Sequence, residues 1–329
     1  MRSRLPAAGI VVMLLAGERA PGQLLAARQA SGQPAATFSS ESQVVVLHVA
    51  VRDKKGYVSG LEKSAFHVFE NKQPQPISFF SNQDAPVTVG LVIDSSGSMG
   101  NNRDRVIAAA VAFAETSNPQ DEIFVLGFNE NVTSPLPADA PFTHDIPTLR
   151  SALYKAIAAR GQSAVYDAVN AGLKYLDRGN YERKVLVLVS DGGDNASTAT
   201  RAQVLGNAEA SNSVIYTVGV IDPMETEANP GFLRQLSDAS GGEMFEPHNV
   251  AEVNSVLQQV AHDIRNMYTL GYSPGATATS AKSGKKQELR SVSVSVALPT
   301  GRKAMVRTRR AYLAGREPER SASDDSAGR

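Results

Sequence analysis

The chain has no cysteine, which removes disulfide scaffolds, thiolate nucleophiles, iron–sulfur clusters and cysteine-ligated zinc in one step. It also has no excess of either charge: Lys+Arg and Asp+Glu each number 33 among 329 residues. Without a surplus of positive charge to gather phosphates, nucleic acid is not an expected partner. No GxxxxGK[ST] phosphate loop, GxSxG elbow or HxxxH pair is present, and DSSGS lacks the second aspartate of a DxD phosphatase. The five histidines, His48, His67, His144, His248 and His262, are scattered, so each reads as a surface or core residue. The composition that remains is that of a folded protein, 42% hydrophobic and 20% charged, long enough for one large domain or two modest ones.

The N-terminus, MRSRLPAAGIVVMLLAG, sets Arg2 and Arg4 before an apolar run over 5–16 that is too short to span a bilayer. This is the pattern of a secretory signal. Residues 1–30 are expected to be a signal peptide and 31–42, rich in Ser, Gly, Ala and Gln, a linker. The mature protein is then exported, to periplasm, cell surface or medium, with no transmembrane span. Residues 314–329 are polar and read as a disordered tail.

Between these ends the periodicity changes twice. Residues 43–83 hold short β-rich runs (QVVVLHVAV, then 66–70 and 77–80) bounded by turn residues. From 84 to 267 strands alternate with helices: strands are expected at 87–94, 122–128, 184–190 and 213–220, and helices at 103–116, 146–157, 165–176, 200–210 and 231–239. A last helix opens at Asn249, with Glu252 placed as in a capping box, and carries Val250, Val253, Leu257, Val260, Ile264 and Met267 on one stripe. The near-continuous Val/Ile/Leu strands imply an α/β fold, a doubly wound, mainly parallel sheet covered on both faces. Residues 268–313 return to alternation, with 291–298 and 304–312 reading as a hairpin about the turn 299–301 and 275–286 as a loop. Since a lone hairpin is marginal, 268–313 is expected to pack with 43–83 as one β module into which the α/β domain is inserted. The arginines of RKAMVRTRR (302–310) are expected to line a solvated hairpin edge.

In such a sheet ligands bind beyond the carboxyl ends of the strands, where strand order reverses. Two predicted strands end in aspartates, Asp94 (VTVGLVID-SSGSMG) and Asp191 (KVLVLVS-DGGDN). Neighbouring carboxylates disfavour each other unless a proton or a cation lies between them. Ser96 and Ser98 follow Asp94 at alternate positions, and Ser163 opens the helix that holds Tyr166 and Asp167. Hard oxygen donors without sulfur or converging histidine select Mg²⁺, Mn²⁺ or Ca²⁺ over zinc. Asp194 and Asn195 suit either a supporting or a turn role, and Asp167 a structural one. A turn with a helix cap is the plainer reading of DSSGSMG, but it leaves Asp191 and Ser163 without a reason.

Asp94-x-Ser96-x-Ser98, a later Gly-x-Ser before a helix and Ser190-Asp191-Gly192 at a strand end together resemble the metal-ion-dependent adhesion site of von Willebrand factor A (VWA) domains. The flanks, VVVLHVAVRDKKGYVSGLEKSAFHVFENKQPQPISFF and YTLGYSP, are similar to an acidobacterial VWFA-related family of exported proteins. The resemblance implies that Ser96, Ser98 and Ser163 bind the metal directly and that Asp94 and Asp191 bind it directly or through water. One position would remain for a carboxylate of a partner protein. Ser163 replaces the family's commoner threonine and keeps the hydroxyl. The function expected is non-enzymatic protein binding of the adhesion type. A non-catalytic assembly or scaffold subunit is the alternative, and a serine hydrolase using Ser98 is disfavoured by the missing elbow and triad histidine.

Overall fold

The computed structural model describes residues 44–157, 160–221, 226–274, 288–299 and 301–314, apart from the side chains of Ser98, Asn101 and Glu288. The expected leader and linker, the 275–286 loop and the tail beyond 314 lie outside the described residues.

Five strands come first: β1 (Val45–Asp53), β2 (Gly56–Tyr57), β3 (Phe66–Glu70), β4 (Gln73–Gln75) and β5 (Ile77–Ser81). The α/β region follows as β6 (Thr88–Asp94), α1 (Arg103–Thr116), β7 (Glu122–Phe128), β8 (Val132–Thr133), α2 (Ile146–Ala156), α3 (Val165–Asp177) and β9 (Lys184–Ser190). It continues through α4 (Arg201–Ala210), β10 (Val214–Gly219), α5 (Pro230–Ser240), β11 (Met244–Phe245) and α6 (Val253–Arg265). Four strands close the chain, β12 (Tyr268–Tyr272), β13 (Glu288–Val296), β14 (Met305–Arg307) and β15 (Ala311–Ala314).

The central sheet has the order β11-β10-β9-β6-β7-β8, parallel throughout except for β8. Successive side chains point to opposite faces, so a strand buried on both sides must be apolar at nearly every position. Val185, Val187 and Val189 of β9 enter the core under α1, α2 and α6, while Leu186 and Leu188 enter the one under α3, α4 and α5. The sheet is therefore doubly wound, with helices on both faces. Side-chain caps fix where several helices begin: Asp145 accepts from the Thr148 amide ahead of α2, and Thr200 and Gln203 form a reciprocal capping box on α4. At α6 the predicted box does not form. Asn249 instead caps a one-turn 3-10 segment, Val250–Glu252, and Glu252 accepts from the His248 amide, because that extra turn moves Glu252 to the N-cap of the helix proper.

The flanking strands make two further sheets, β14-β1-β12-β5 with β2 added to β1, and β15-β13-β3-β4. Both contribute to one core holding Leu47, Val49, Phe66, Val68, Tyr268, Leu270, Tyr272 and Tyr312. Buried Glu70 ties it together, accepting from Tyr272 at 2.8 Å and Tyr312 at 2.6 Å and pairing with Arg290 at 3.3 Å. The α/β region leaves from β5 and returns on β12, strands that pair with Ser81 opposite Thr269.

The predicted C-terminal hairpin is opened by this arrangement. β14 pairs with β1, Val306 opposite Val51, and only afterwards does β15 return to β13, Ala311 opposite Ser291. The arginines give the reason. Arg307 donates to Glu243 at 2.8 Å and to the Gly242 carbonyl at 3.2 Å, and Arg309 donates to the Ser211 carbonyl and to Asn212. While Arg302, Lys303 and Arg310 are exposed, as expected of a solvated edge, these two hold the strap across the α/β domain. Gly241 lets it lie close: its φ is +83°, and a Cβ there would stand 2.2 Å from the Arg309 amide nitrogen.

Candidate functional site

The strand order reverses at β6: β7 and β8 lie on one side of it, β9, β10 and β11 on the other. This is the switch point at which a doubly wound sheet opens a crevice beyond its carboxyl ends. Parallel pairing of Ile93 with Val189 brings the ends of β6 and β9 together, Asp94 beside Ser190. Asp94 is fully buried. Its Oδ1 accepts from the Ser96 amide at 2.9 Å, while Oδ2 accepts from the Ser190 hydroxyl at 2.7 Å and the Ser163 hydroxyl at 3.3 Å. Burial raises the Asp94 carboxyl above its ordinary range, hydrogen bonds from Ser96 and Ser190 pull it back, and the nearby Asp191 charge pushes it up again.

Three loops converge here. The Ser95 carbonyl accepts from the Arg160 amide at 2.8 Å, and the Gly161 carbonyl from the Gly97 amide at 3.1 Å. Asn195 joins the loop after β9 to the one before α3: its Oδ1 accepts from the Ser163 amide at 2.9 Å, and its own amide donates to the Ser163 carbonyl at 3.0 Å. Arg103, at the start of α1, donates to the Ile157 and Tyr154 carbonyls at 2.6 and 2.8 Å, fixing the end of α2 where the second loop departs. Beyond β9, Ser190 accepts from the Gly192 amide and Asp191 from the Gly193 amide, each at 2.9 Å. Gly192 carries φ +81°, and a Cβ there would stand 2.6 Å from the Asn229 carbonyl oxygen.

Of the residues predicted for the site, the structure gathers Asp94, Ser96 and Ser163 around one carboxylate, with Asp191 buried on the adjoining loop. Ser98 lies in the 3-10 segment Gly97–Asn102 that leads into α1. Asp194 accepts from the Tyr166 amide and the Ser197 hydroxyl, and Asp167 from the Thr198 and Ala199 amides, so both shape loops. Ser190 is what the sequence reading passed over, naming it only as part of Ser-Asp-Gly. Its signal was its place at the end of the strand expected beside Asp94. Among the described residues, no three His, Asp or Glu side chains form a metal-holding group. The donor set that does gather is two aspartates and serine hydroxyls, which suits a hard divalent cation, since a hydroxyl that donates to Asp94 keeps lone pairs for a metal.

The family model for the von Willebrand factor type A domain matches residues 88–260. The chain belongs to this family. The VWA match covers the α/β region from β6 into α6, and the family is one of protein-interaction modules. The chain is also 22% identical over 203 residues to inter-alpha-trypsin inhibitor heavy chain H4 of Homo sapiens, which takes in 58% of this chain and only 22% of that protein. Among solved structures it is similar to a von Willebrand factor type A protein from Catenulispora acidiphila, at 12% identity and TM-score 0.49, covering 84% of this chain and 76% of that one. A second likeness is to the vWF domain of the type V pili tip protein Mfa5 from Porphyromonas gingivalis, at 13% identity and TM-score 0.47, covering 55% of this chain and 95% of that one. No described helix is long and apolar enough to cross a membrane.

Proposed function

We propose that this VWA protein is an exported, non-enzymatic binding module that grips an acidic residue of a partner protein through a divalent cation. The observation that carries the reading is the convergence of three loops, those after β6 and β9 and the one between α2 and α3, on buried Asp94, with Ser163 and Ser190 both hydrogen-bonded to its Oδ2. Ser96, Ser98 and Ser163 would hold the cation with Asp94 and Asp191, directly or through water, and Mg²⁺, Mn²⁺ or Ca²⁺ suits such a set. When bound, the ion would supply a Lewis-acidic position for the partner's carboxylate. The chain's own part is to neutralise and orient. Asp94 accepts the Ser163 and Ser190 hydroxyl protons, which leaves those oxygens as acceptors, and Asn195 and Arg103 keep the loops in register. Export rests on Arg2, Arg4 and the apolar run over 5–16.

The test is unfolding of the full chain in EDTA, Mg²⁺, Mn²⁺ and Ca²⁺ beside the Asp191→Ala variant. A ligand that binds only the native state at about 100 times its Kd adds about 2.7 kcal/mol. A divalent-dependent rise in midpoint, lost in the variant, is expected. No rise with any of the three ions would move the scaffold reading ahead.

A further inference from the structure

A second buried cluster, sharing no residue with the candidate cation site, lies where the β sheets meet the α/β domain. Arg52 of β1 places Nη1 2.7 Å from Glu243 Oε2 and Nη2 3.6 Å from Asp263 Oδ2. Tyr216 of β10 donates to Asp263 Oδ2 at 2.6 Å, and Arg307 of β14 donates to Glu243 Oε1 at 2.8 Å. Arg52 also bonds the Tyr57 hydroxyl of β2, and its guanidinium lies 4.2 Å from that ring's centre. On α6 itself, the His262 ring rests 4.9 Å from the Tyr57 ring. Five elements of the flanks and the α/β domain thus meet on two carboxylates and two guanidiniums.

The pairing is incomplete. Asp263 is 1% exposed, and its Oδ1 is buried with no hydrogen-bond partner among the described residues, as is Arg52 Nε. Glu243 takes the short contact with Arg52 and a second arginine besides, leaving Asp263 the long one. An ionised Asp263 therefore keeps an unmatched oxygen out of water, beside another carboxylate that shares its cation. A proton on Oδ1 removes that burden and leaves the Tyr216 bond to Oδ2 in place.

We propose that Asp263 is a proton-binding site in the joint between the β sheets and the α/β domain, so that the joint holds more firmly as its surroundings acidify. Burial pushes the Asp263 carboxyl up to about 6, with the Glu243 charge adding to the rise and Tyr216, Arg52 and Arg307 opposing it. A carboxyl whose folded pKa stands above its unfolded value binds the proton more tightly when folded. Its stabilisation is complete below the unfolded pKa of 3.8 and is lost as pH rises through about 6.

The experiment compares the full chain with Asp263→Asn, an uncharged isostere, by urea unfolding in EDTA from pH 4.5 to 8. His262 and Asp121, the latter also raised to about 6 by burial, are common to both proteins and cancel in the difference. The wild-type midpoint is expected to gain on the variant as pH falls through about 6, with amide exchange slowing over 48–53 and 305–307 in the wild type alone. A difference that stays constant with pH would overturn the proposal, as would a wild type that loses ground on acidification, the behaviour of a carboxylate held by its charge. Should Asp263→Asn fail to fold, Glu243→Gln serves: with the like charge gone, the acid-dependent gain should move to lower pH, and an unmoved gain would count against the proposal. Because the measurement is made without divalent ions, its outcome is separate from that of the cation test.

Discussion

Asp94 at the switch point of the central sheet and Asp263 in the joint with the β sheets are both buried almost completely, and burial raises the carboxyl of both. Their neighbours differ in kind. Asp94 is met by a backbone amide and by serine hydroxyls, and the hydroxyls rotate, donate one proton and still offer lone pairs. Asp263 is met by a guanidinium and a phenol, groups held by their own packing, with a rival carboxylate on the same cation. The same residue type at similar depth becomes an organiser of oxygen donors in one place and a load on a salt-bridge network in the other. Neighbours, not depth, decide the use.

That contrast is most exposed to failure at Arg52. Replacing it by methionine keeps the apolar stem but leaves Glu243 and Asp263 facing each other, with Arg307, itself partly exposed, on Glu243 and the Tyr216 hydroxyl on Asp263. Removing one partner of a buried pair costs about 3–5 kcal/mol. Arg52→Met should lose stability on that scale at pH 7.5 by urea unfolding, and less at pH 4.5, where Asp263 carries its proton. A loss under about 1 kcal/mol at both pH values would mean that the cluster is solvated in practice and that the contrast with Asp94 is mistaken.

The next effect in size belongs to Asp94. Asp94→Asn preserves shape and one acceptor oxygen, and the Ser190 hydroxyl can turn to accept from the new amide, so the fold should lose only about 1–2 kcal/mol. The response to divalent ions should vanish with the charge, which removes a shift of about 2.7 kcal/mol at about 100 times Kd. Calorimetry of Mg²⁺ or Mn²⁺ addition reads this directly. A variant that still responds would shift the burden of binding to Asp191 and the hydroxyls.

The central domain was legible because burial on both faces leaves a sequence little freedom. The runs ending in Asp94 and Ser190 could only be inner strands, and DxSxS with Ser-Asp-Gly marked where their ends would meet. The flanks were less so. Half-exposed strands alternate in the same way whichever neighbour they pair with, and nothing in RKAMVRTRR says that Arg307 and Arg309 reach for Glu243, Gly242, Ser211 and Asn212. The joint was invisible for a related reason: Arg52, Glu243 and Asp263 are 191 and 20 residues apart along the chain and carry no motif. Ser190 was passed over because serine at a strand end is common, and only the register beside Asp94 gives its hydroxyl a task.

The smallest predicted effect sharpens the contrast from the other side. Asn195 is exposed, yet it fixes Ser163 through the amide of that residue and donates to Glu227 Oε2 at 2.6 Å. Asn195→Ala removes both bonds where water can replace the lost partners, so stability should fall by less than about 1 kcal/mol, far below the cost at Arg52. The divalent-induced rise in midpoint should shrink further than this, because Ser163 would no longer be held at the distance that lets its hydroxyl serve Asp94 and a cation together. A stability loss as large as that of Arg52→Met would make the loop part of the framework, and an unchanged divalent response would make Asn195 a bystander. The expected result, a small change in stability with a larger one in cation affinity, is what separates a site that orients donors from a joint that only bears charge.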